Sequence, residues 1–288
     1  LQGGLTTHEL ARAKLQTEST IAQRIVRAQR TLRESGVPYE VPRGAALAER
    51  LSSVLEVIYL VFNEGHTATR GDDWLRPALC DESLRLARVL ASLMPDEPEV
   101  LGLLALLAIQ ASRIPARLDA EGRPVLLEQQ DRSRWDRLLV RLGLEALDRA
   151  QAAGVPPGPY RLQAAIAACH ARAPTADDTD WARMASLYIE LARVQPSPVV
   201  ELNRAVAVSR HAGAAAGLQE LSPLLDEPAL ARYPWLHAVH GDLLARLGQG
   251  PLAIDAFERA AGLSGNRHDQ ALLRQRAAAL RGSEPPDP

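Results

Sequence analysis

The chain has 288 residues, 47% of them hydrophobic but only 4% aromatic, and a formal net charge of -2. Two cysteines, Cys80 and Cys169, do not make a disulfide scaffold and fit a reducing compartment, no stretch approaches the roughly 18 uncharged apolar residues of a membrane span, and Leu1–Leu10 lacks the charged and apolar regions of a signal peptide. The expectation is a cytoplasmic, all-α protein with no membrane partner, whose core is built from Leu, Ala and Val, and whose length exceeds one ordinary domain of about 100 to 200 residues.

The first predicted element starts at Thr6. Thr6 and Glu9 form a T-x-x-E capping box, in which the hydroxyl takes the third backbone N–H and the carboxylate reaches back to the first. Leu10, Ala13 and Leu15 give this short helix an apolar side. After a break near Gln16 and Thr17, Ile21, Ile25, Ala28 and Leu32 recur at the spacing of one buried stripe. At about 100° per residue, Thr20, Gln23, Arg24, Arg27 and Thr31 then lie on the opposite surface, with Arg30 at its margin. Guanidinium forks and a glutamine amide suit phosphates and base edges. Residues 1 to 36 carry six cations (Arg12, Lys14, Arg24, Arg27, Arg30, Arg33) against three anions (Glu9, Glu18, Glu34) on an otherwise slightly acidic chain, the footprint of a DNA-reading module. A solvated amphipathic helix produces the same pattern, so both readings stand.

Gly36–Pro42 is a Pro-bearing connector that cannot continue a helix. Helices are then expected near 45–63, 77–93, 97–112, 133–153, 159–171, 180–194, 198–211, 214–224, 234–247, 250–263 and 267–281. Strand signals are nearly absent, although Asp119–Gly122 within 116–127 marks a turn that suits a small hairpin. Gly241, Gly248, Ala253, Phe257 and Ala260 sit at the spacings of a tetratricopeptide unit. More faintly, Tyr188, Leu191 and Pro196 fit the second half of an earlier unit and Asn203–Ala207 with Gly213 the first half of the next, and the last helix serves as a cap. Such stacks form concave surfaces that take peptides or protein segments. The expected division is a helix-turn-helix over 1–36, a linker over 37–44, a first helical part over 45–174, repeats with a cap over 175–282, and a frayed tail over 283–288.

Nothing in the sequence points to catalysis or a cofactor. Cys169-His170 is too short for a metal motif, and His237 with His240 lacks further ligands of diagnostic spacing. There is no phosphate-cradling Gly loop and no G-x-S-x-G elbow. The richest polar set is Arg117, Asp119, Asp131, Arg132, Arg134, Trp135 and Asp136, with Asn63, Glu64 and His66 expected in a loop that could approach it. Buried arginine–carboxylate pairing accounts for such a set without chemistry. A regulatory pocket drawn from Asn63, Glu64, Arg117, Asp131, Arg132 and Trp135 is the alternative.

Gly4, Leu5, Thr6, Glu9, Ala11, Thr20, Ile21, Arg24, Arg27 and Ala28 follow a pattern that resembles the second half of region 4 of bacterial RNA polymerase sigma factors. Leu15 and Thr17 depart from it, because many members carry Gly and Pro there. Tyr59–Gly65 (YLVFNEG), Glu128–Asp136 (EQQDRSRWD), Leu162–Ala168 (LQAAIAA) and Pro196–Ala207 (PSPVVELNRAVA) are similar to extracytoplasmic-function sigma factors that carry a tetratricopeptide-like extension. The resemblance implies a sigma-factor fragment lacking the region that melts the -10 element. Its partners would be the -35 element of promoter DNA, RNA polymerase core, and a regulatory protein or peptide at the repeat surface. The DNA contacts it implies are Glu18, Ser19, Thr20, Gln23, Arg24, Arg27 and Arg30. A scaffold or ligand sensor without DNA contact is the competing expectation. A piece of about 36 residues is below the size that folds unaided, so the helix-turn-helix should dock on the larger part through Ile21, Ile25 and Leu32. Docking that also hid Arg24 and Arg27 would be autoinhibitory.

Overall fold

The computed structural model describes residues 6–34, 45–67 and 74–282. The connector at 36–42, the linker at 37–44 and the tail at 283–288 fall outside the described residues, as do the side chains of Thr31 and Leu32. The protein is all-α: helices α1 (Thr7–Ala13), α2 (Glu18–Glu34), α3 (Ala45–His66), α4 (Pro77–Leu93), α5 (Pro98–Ser112), α6 (Arg137–Ala152), α7 (Pro159–Arg172), α8 (Trp181–Val194), α9 (Pro198–His211), α10 (Ala214–Leu221), α11 (Pro234–Arg246), α12 (Gly250–Leu263) and α13 (Arg267–Arg281) follow one another.

Local chemistry sets most of these starts. A proline occupies the first turn of α4, α5, α7, α9, α11 and α12, where its missing N–H costs nothing and its fixed φ is already helical. The Thr6–Glu9 capping box is formed as expected, with the Glu9 N–H donating to the Thr6 hydroxyl at 3.2 Å. Two elements end or start elsewhere. Residues Arg132–Arg134 form a separate 3-10 turn, and α6 begins only at Arg137 because the Asp136 carboxylate accepts from the Leu138 and Leu139 N–H groups. α10 stops at Leu221 and passes into a 3-10 turn at Ser222–Asp226 that contains Pro223. The expected hairpin over 116–127 reduces to one antiparallel bridge, Leu118 to Pro124, closed by the Asp119–Gly122 turn.

The centre of the first half is α5. Twelve of its residues are buried, as befits a helix that is apolar all round. α3, α4, α6 and α7 pack on it. Gly102 lets the Arg161 backbone approach, since a Cβ there would sit 2.7 Å from the Arg161 nitrogen, and Gly143 seats α6 against Ile109 and Ala105. Among the described residues, the segment Pro98–Ala116, which carries Glu99 and Arg113, is the single one long and apolar enough to cross a membrane by length and composition; 72% of its 18-residue apolar stretch is buried within the fold.

From α7 onward each helix packs on the next, and the core passes along the stack in sections. Leu162, Ile166, Leu187, Leu191 and Val200 fill the α7–α9 section. Leu202, Leu221, Leu236 and Leu243 fill α9–α11, and Phe257, Leu273 and Ala277 fill α11–α13. Gly241 admits the Phe257 ring, whose atoms a Cβ would meet at 3.0 Å. The stack curves back on itself: the indole N–H of Trp74, just before α4, donates to the Asp269 carboxylate of α13 at 3.0 Å.

Candidate functional site

The curvature forms a partly open cavity of about 840 Å³ between α1, α3, α5, α7, α8, α9 and α11. Four tyrosines of the five in the chain line it: Tyr59, Tyr160, Tyr188 and Tyr233. Tyr59 and Tyr160 meet edge to face with ring centres 5.6 Å apart. The Tyr59 hydroxyl donates to Gln163 Oε1 at 2.7 Å, and Gln163 Nε2 donates to Gln195 Oε1 at 3.3 Å. Burial pushes the hydroxyls of all four tyrosines above their ordinary range, so the wall is polar but uncharged there.

One side of the cavity is closed by α1. Leu10, Ala11 and Ile21 are buried with Val61 of α3, and Ile25, Val57, Leu60 and Leu79 pack around them. Ion pairs flank this contact. Arg76 Nη1 lies 3.1 Å from Glu9 Oε1 and 3.6 Å from Glu64 Oε1, and Lys14 pairs with Glu56. Although burial raises it, the Glu9 carboxyl sits below its usual range because the Thr6 backbone and hydroxyl and the Arg76 guanidinium favour its charged form. On the far side, Leu15 packs against the α9–α11 section of the core. The helix pair is thus held between α3 and the α9–α11 section.

Leu15 and Thr17 now have physical explanations. Leu15 has φ of +51°, the left-handed turn conformation in which glycine is unstrained, and its side chain supplies the contact to the far section that a glycine could not. The Thr17 hydroxyl accepts from the Thr20 N–H at 3.2 Å, starting α2 with a side-chain cap where a proline would supply only a preset φ.

Of the residues expected to touch DNA, Glu18, Ser19, Gln23, Arg24, Arg27 and Arg30 are exposed and Thr20 is half-buried. Glu18 is in contact with His8. Docking uses Ile21 and Ile25 as expected and leaves Arg24 and Arg27 at the surface.

The expected pocket set is only partly brought together. Asn63, Glu64 and His66 are not in a loop but in the last turn of α3, which runs on to His66, and they line the cavity. Asp131 is exposed and caps the 3-10 turn by accepting from the Ser133 N–H. Arg117, Arg132 and Trp135 stand behind the wall. The expectation of buried arginine–carboxylate pairing is overturned: Arg117 donates to His66 Nε2 at 3.0 Å and to the Thr67 hydroxyl at 3.1 Å, and Arg132 donates to the His170 carbonyl at 2.6 Å and to the Ala173 carbonyl. Trp135 is packed between Arg132 and Arg113, whose guanidinium carbons lie 5.1 and 5.7 Å from its ring centre. Asp119 pairs with Arg123 instead. Sequence reasoning missed Arg113, the residue through which this cationic group reaches the cavity. It also missed the tyrosines as a set; the available signal was that three of them, Tyr59, Tyr160 and Tyr188, fall on helices in a chain so poor in aromatics. Among the described residues no three His, Cys, Asp or Glu side chains assemble into a metal site.

Burial, followed by the positive charges of Arg117 and Arg113, lowers the His66 pKa well below its usual value, so the ring is neutral; its proton goes to the Gln110 carbonyl and its lone pair receives Arg117. Burial likewise brings His170 down to about 3, helped by Arg113 and Arg132.

Residues 50–151, from α3 to the end of α6, match the model of a family of unknown function, DUF6596. Over 271 residues the chain is 46% identical to an uncharacterized protein, R00370, of Rhizobium meliloti (strain 1021). That match covers 94% of this chain and 63% of the relative, so the chain spans less than two thirds of the length of the protein it matches.

Proposed function

We propose that this chain is the DNA-binding and regulatory portion of a bacterial alternative sigma factor. In this reading α1 and α2 take the -35 promoter element, and the α3–α13 stack, read as tetratricopeptide-like, positions them in the cytoplasm for RNA polymerase core. The observation that carries it is the division of α2 into two faces. Ile21 and Ile25 are spent on docking, while Gln23, Arg24 and Arg27 stay outward. Those side chains supply what base edges and phosphates accept, and Val26, 63% exposed beside them, suits the thymine methyl group. The extension holds α1 in its concave face much as such stacks hold a peptide segment, so release and capture of the helix pair is the natural control.

Fluorescence anisotropy with duplexes selected from a random pool tests the reading. Arg24→Ala and Arg27→Ala should each weaken the selected contact by about 1 to 3 kcal/mol if the arginine holds a base through two hydrogen bonds, and should lower the salt dependence of binding. Selection that enriches no sequence, or affinity indifferent to both substitutions, would favour the scaffold reading in which the helix pair only closes the stack.

A further inference from the structure

Arg113 is 9% exposed and lines the cavity. Its Nη1 donates to Gln110 Oε1 at 2.8 Å and its Nε to Gln130 Oε1 at 3.4 Å, both neutral amides. Its Nη2 makes no hydrogen bond among the described residues. The charges that act on it are cations, Arg117 and Arg132. Burial and those two charges bring the guanidinium down to about 9, an expensive arrangement for a side chain whose usual remedy is a carboxylate. A second polar group faces the same space: His170, 8% exposed, lines the cavity, and its Nδ1 has no partner. The carboxylates on the cavity wall, Glu9, Glu56 and Glu64, are engaged by Arg76 and Lys14.

We propose that the cavity is a binding site for a small organic anion, with its carboxylate or phosphate held by Arg113 and His170 and its apolar or aromatic body lying against Tyr160 and Tyr188. Three features fit that ligand class. A buried guanidinium with an unused nitrogen is half of a charge-assisted pair. The tyrosine hydroxyls are un-ionised and do not repel an anion. The cavity, about 840 Å³, lies within the range of small-molecule sites. The inference stands whether or not α2 reads DNA.

The test uses the full chain without DNA and four probes: phenyl phosphate, benzoate, inorganic phosphate and benzyl alcohol, followed by ligand-observed NMR titration and thermal shift. At least one of the two aromatic anions should bind saturably and raise Tm, more tightly than inorganic phosphate, while benzyl alcohol should not bind; whichever anion binds more tightly identifies the head group. Arg113→Gln should weaken binding at least tenfold and leave the unliganded Tm unchanged or higher, because it removes an uncompensated buried charge. Gln163→Trp, at a half-buried position on the wall, should block binding by filling the space, and it keeps the test decisive if Arg113→Gln does not fold. The proposal is overturned if neither aromatic anion saturates, if benzyl alcohol binds as well as benzoate, if Arg113→Gln binds within twofold of the parent, or if Gln163→Trp leaves affinity unchanged.

Discussion

Val61→Ala separates docking of the helix pair from the folding of everything else. Val61 belongs to α3, is 7% exposed, and packs with Leu10, Ala11 and Ile21. The cluster around α5 uses other α3 side chains, Leu55, Ile58 and Phe62. Removing two methyl groups costs about 0.8 kcal/mol each plus a cavity contribution, or about 2 kcal/mol. Since each 1.4 kcal/mol is tenfold, amides of α1 and the first half of α2 should exchange with deuterium roughly 30-fold faster, while those of α5 and α11–α13 keep their protection. The flanking pair between Arg76 and Glu9, whose side chains are 40% and 14% exposed, adds too little to hide such a change. Acceleration below threefold in α1, or an equal loss in α11–α13, would refute the picture of a separately docked unit.

Leu15→Gly and Leu15→Ala should part company: both lose the contact with the α9–α11 section, but only glycine relieves the +51° φ. Glycine should therefore be the more stable by about 0.5 to 1 kcal/mol in urea unfolding, and equal midpoints would show that the turn is not strained. Native Cys80, whose thiol burial pushes up to about 12, should react with Ellman's reagent only as the protein unfolds, whereas the partly exposed Cys169 reacts in the native state; rapid labelling of Cys80 would show that α4 opens readily. His170, neutral when folded and brought to about 3 by burial and two arginines, takes up a proton near 6.5 only when unfolded. Stability should thus be intact above pH 6.5 and fall by about 1.4 kcal/mol per pH unit between 6.5 and 3 on its account. The buried carboxyls Glu99 and Asp269, raised by desolvation, act in the opposite sense, so the measurement is the difference in slope between the parent and His170→Gln; parallel curves would remove His170 from the account. Gly102→Ala should destabilise by more than about 2 kcal/mol, because its Cβ would fall 2.7 Å from the Arg161 backbone nitrogen; an unchanged Tm would mean that α5 and α7 separate freely.

Much of the helical framework was legible from local chemistry. Proline at the first turn and left-handed glycines such as Gly213 and Gly248 act within a few residues, so 77–93, 198–211, 250–263 and 267–281 end where the sequence placed them. Ile21, Ile25 and the outward arginines of α2 followed from helical period alone, whereas Ala28, expected in the same buried stripe, is exposed. The start of α6 was misread because two nearby Asp residues, Asp131 and Asp136, each cap a turn, and periodicity does not say which one opens the long helix.

The site is another matter, because it is made by closure over long separations. Trp74 meets Asp269 across 195 positions and Tyr59 meets Gln163 across 104. No local pattern encodes such a distance. Composition showed several arginines and carboxylates over residues 117–136 and suggested that they pair, but the fold gave Asp119 to Arg123, left Asp131 and Asp136 exposed, and put Arg113 within. Sequence decides which groups are charged and which faces are apolar. Only the packed chain decides which charges are left without a partner, since that depends on the path of every helix between them.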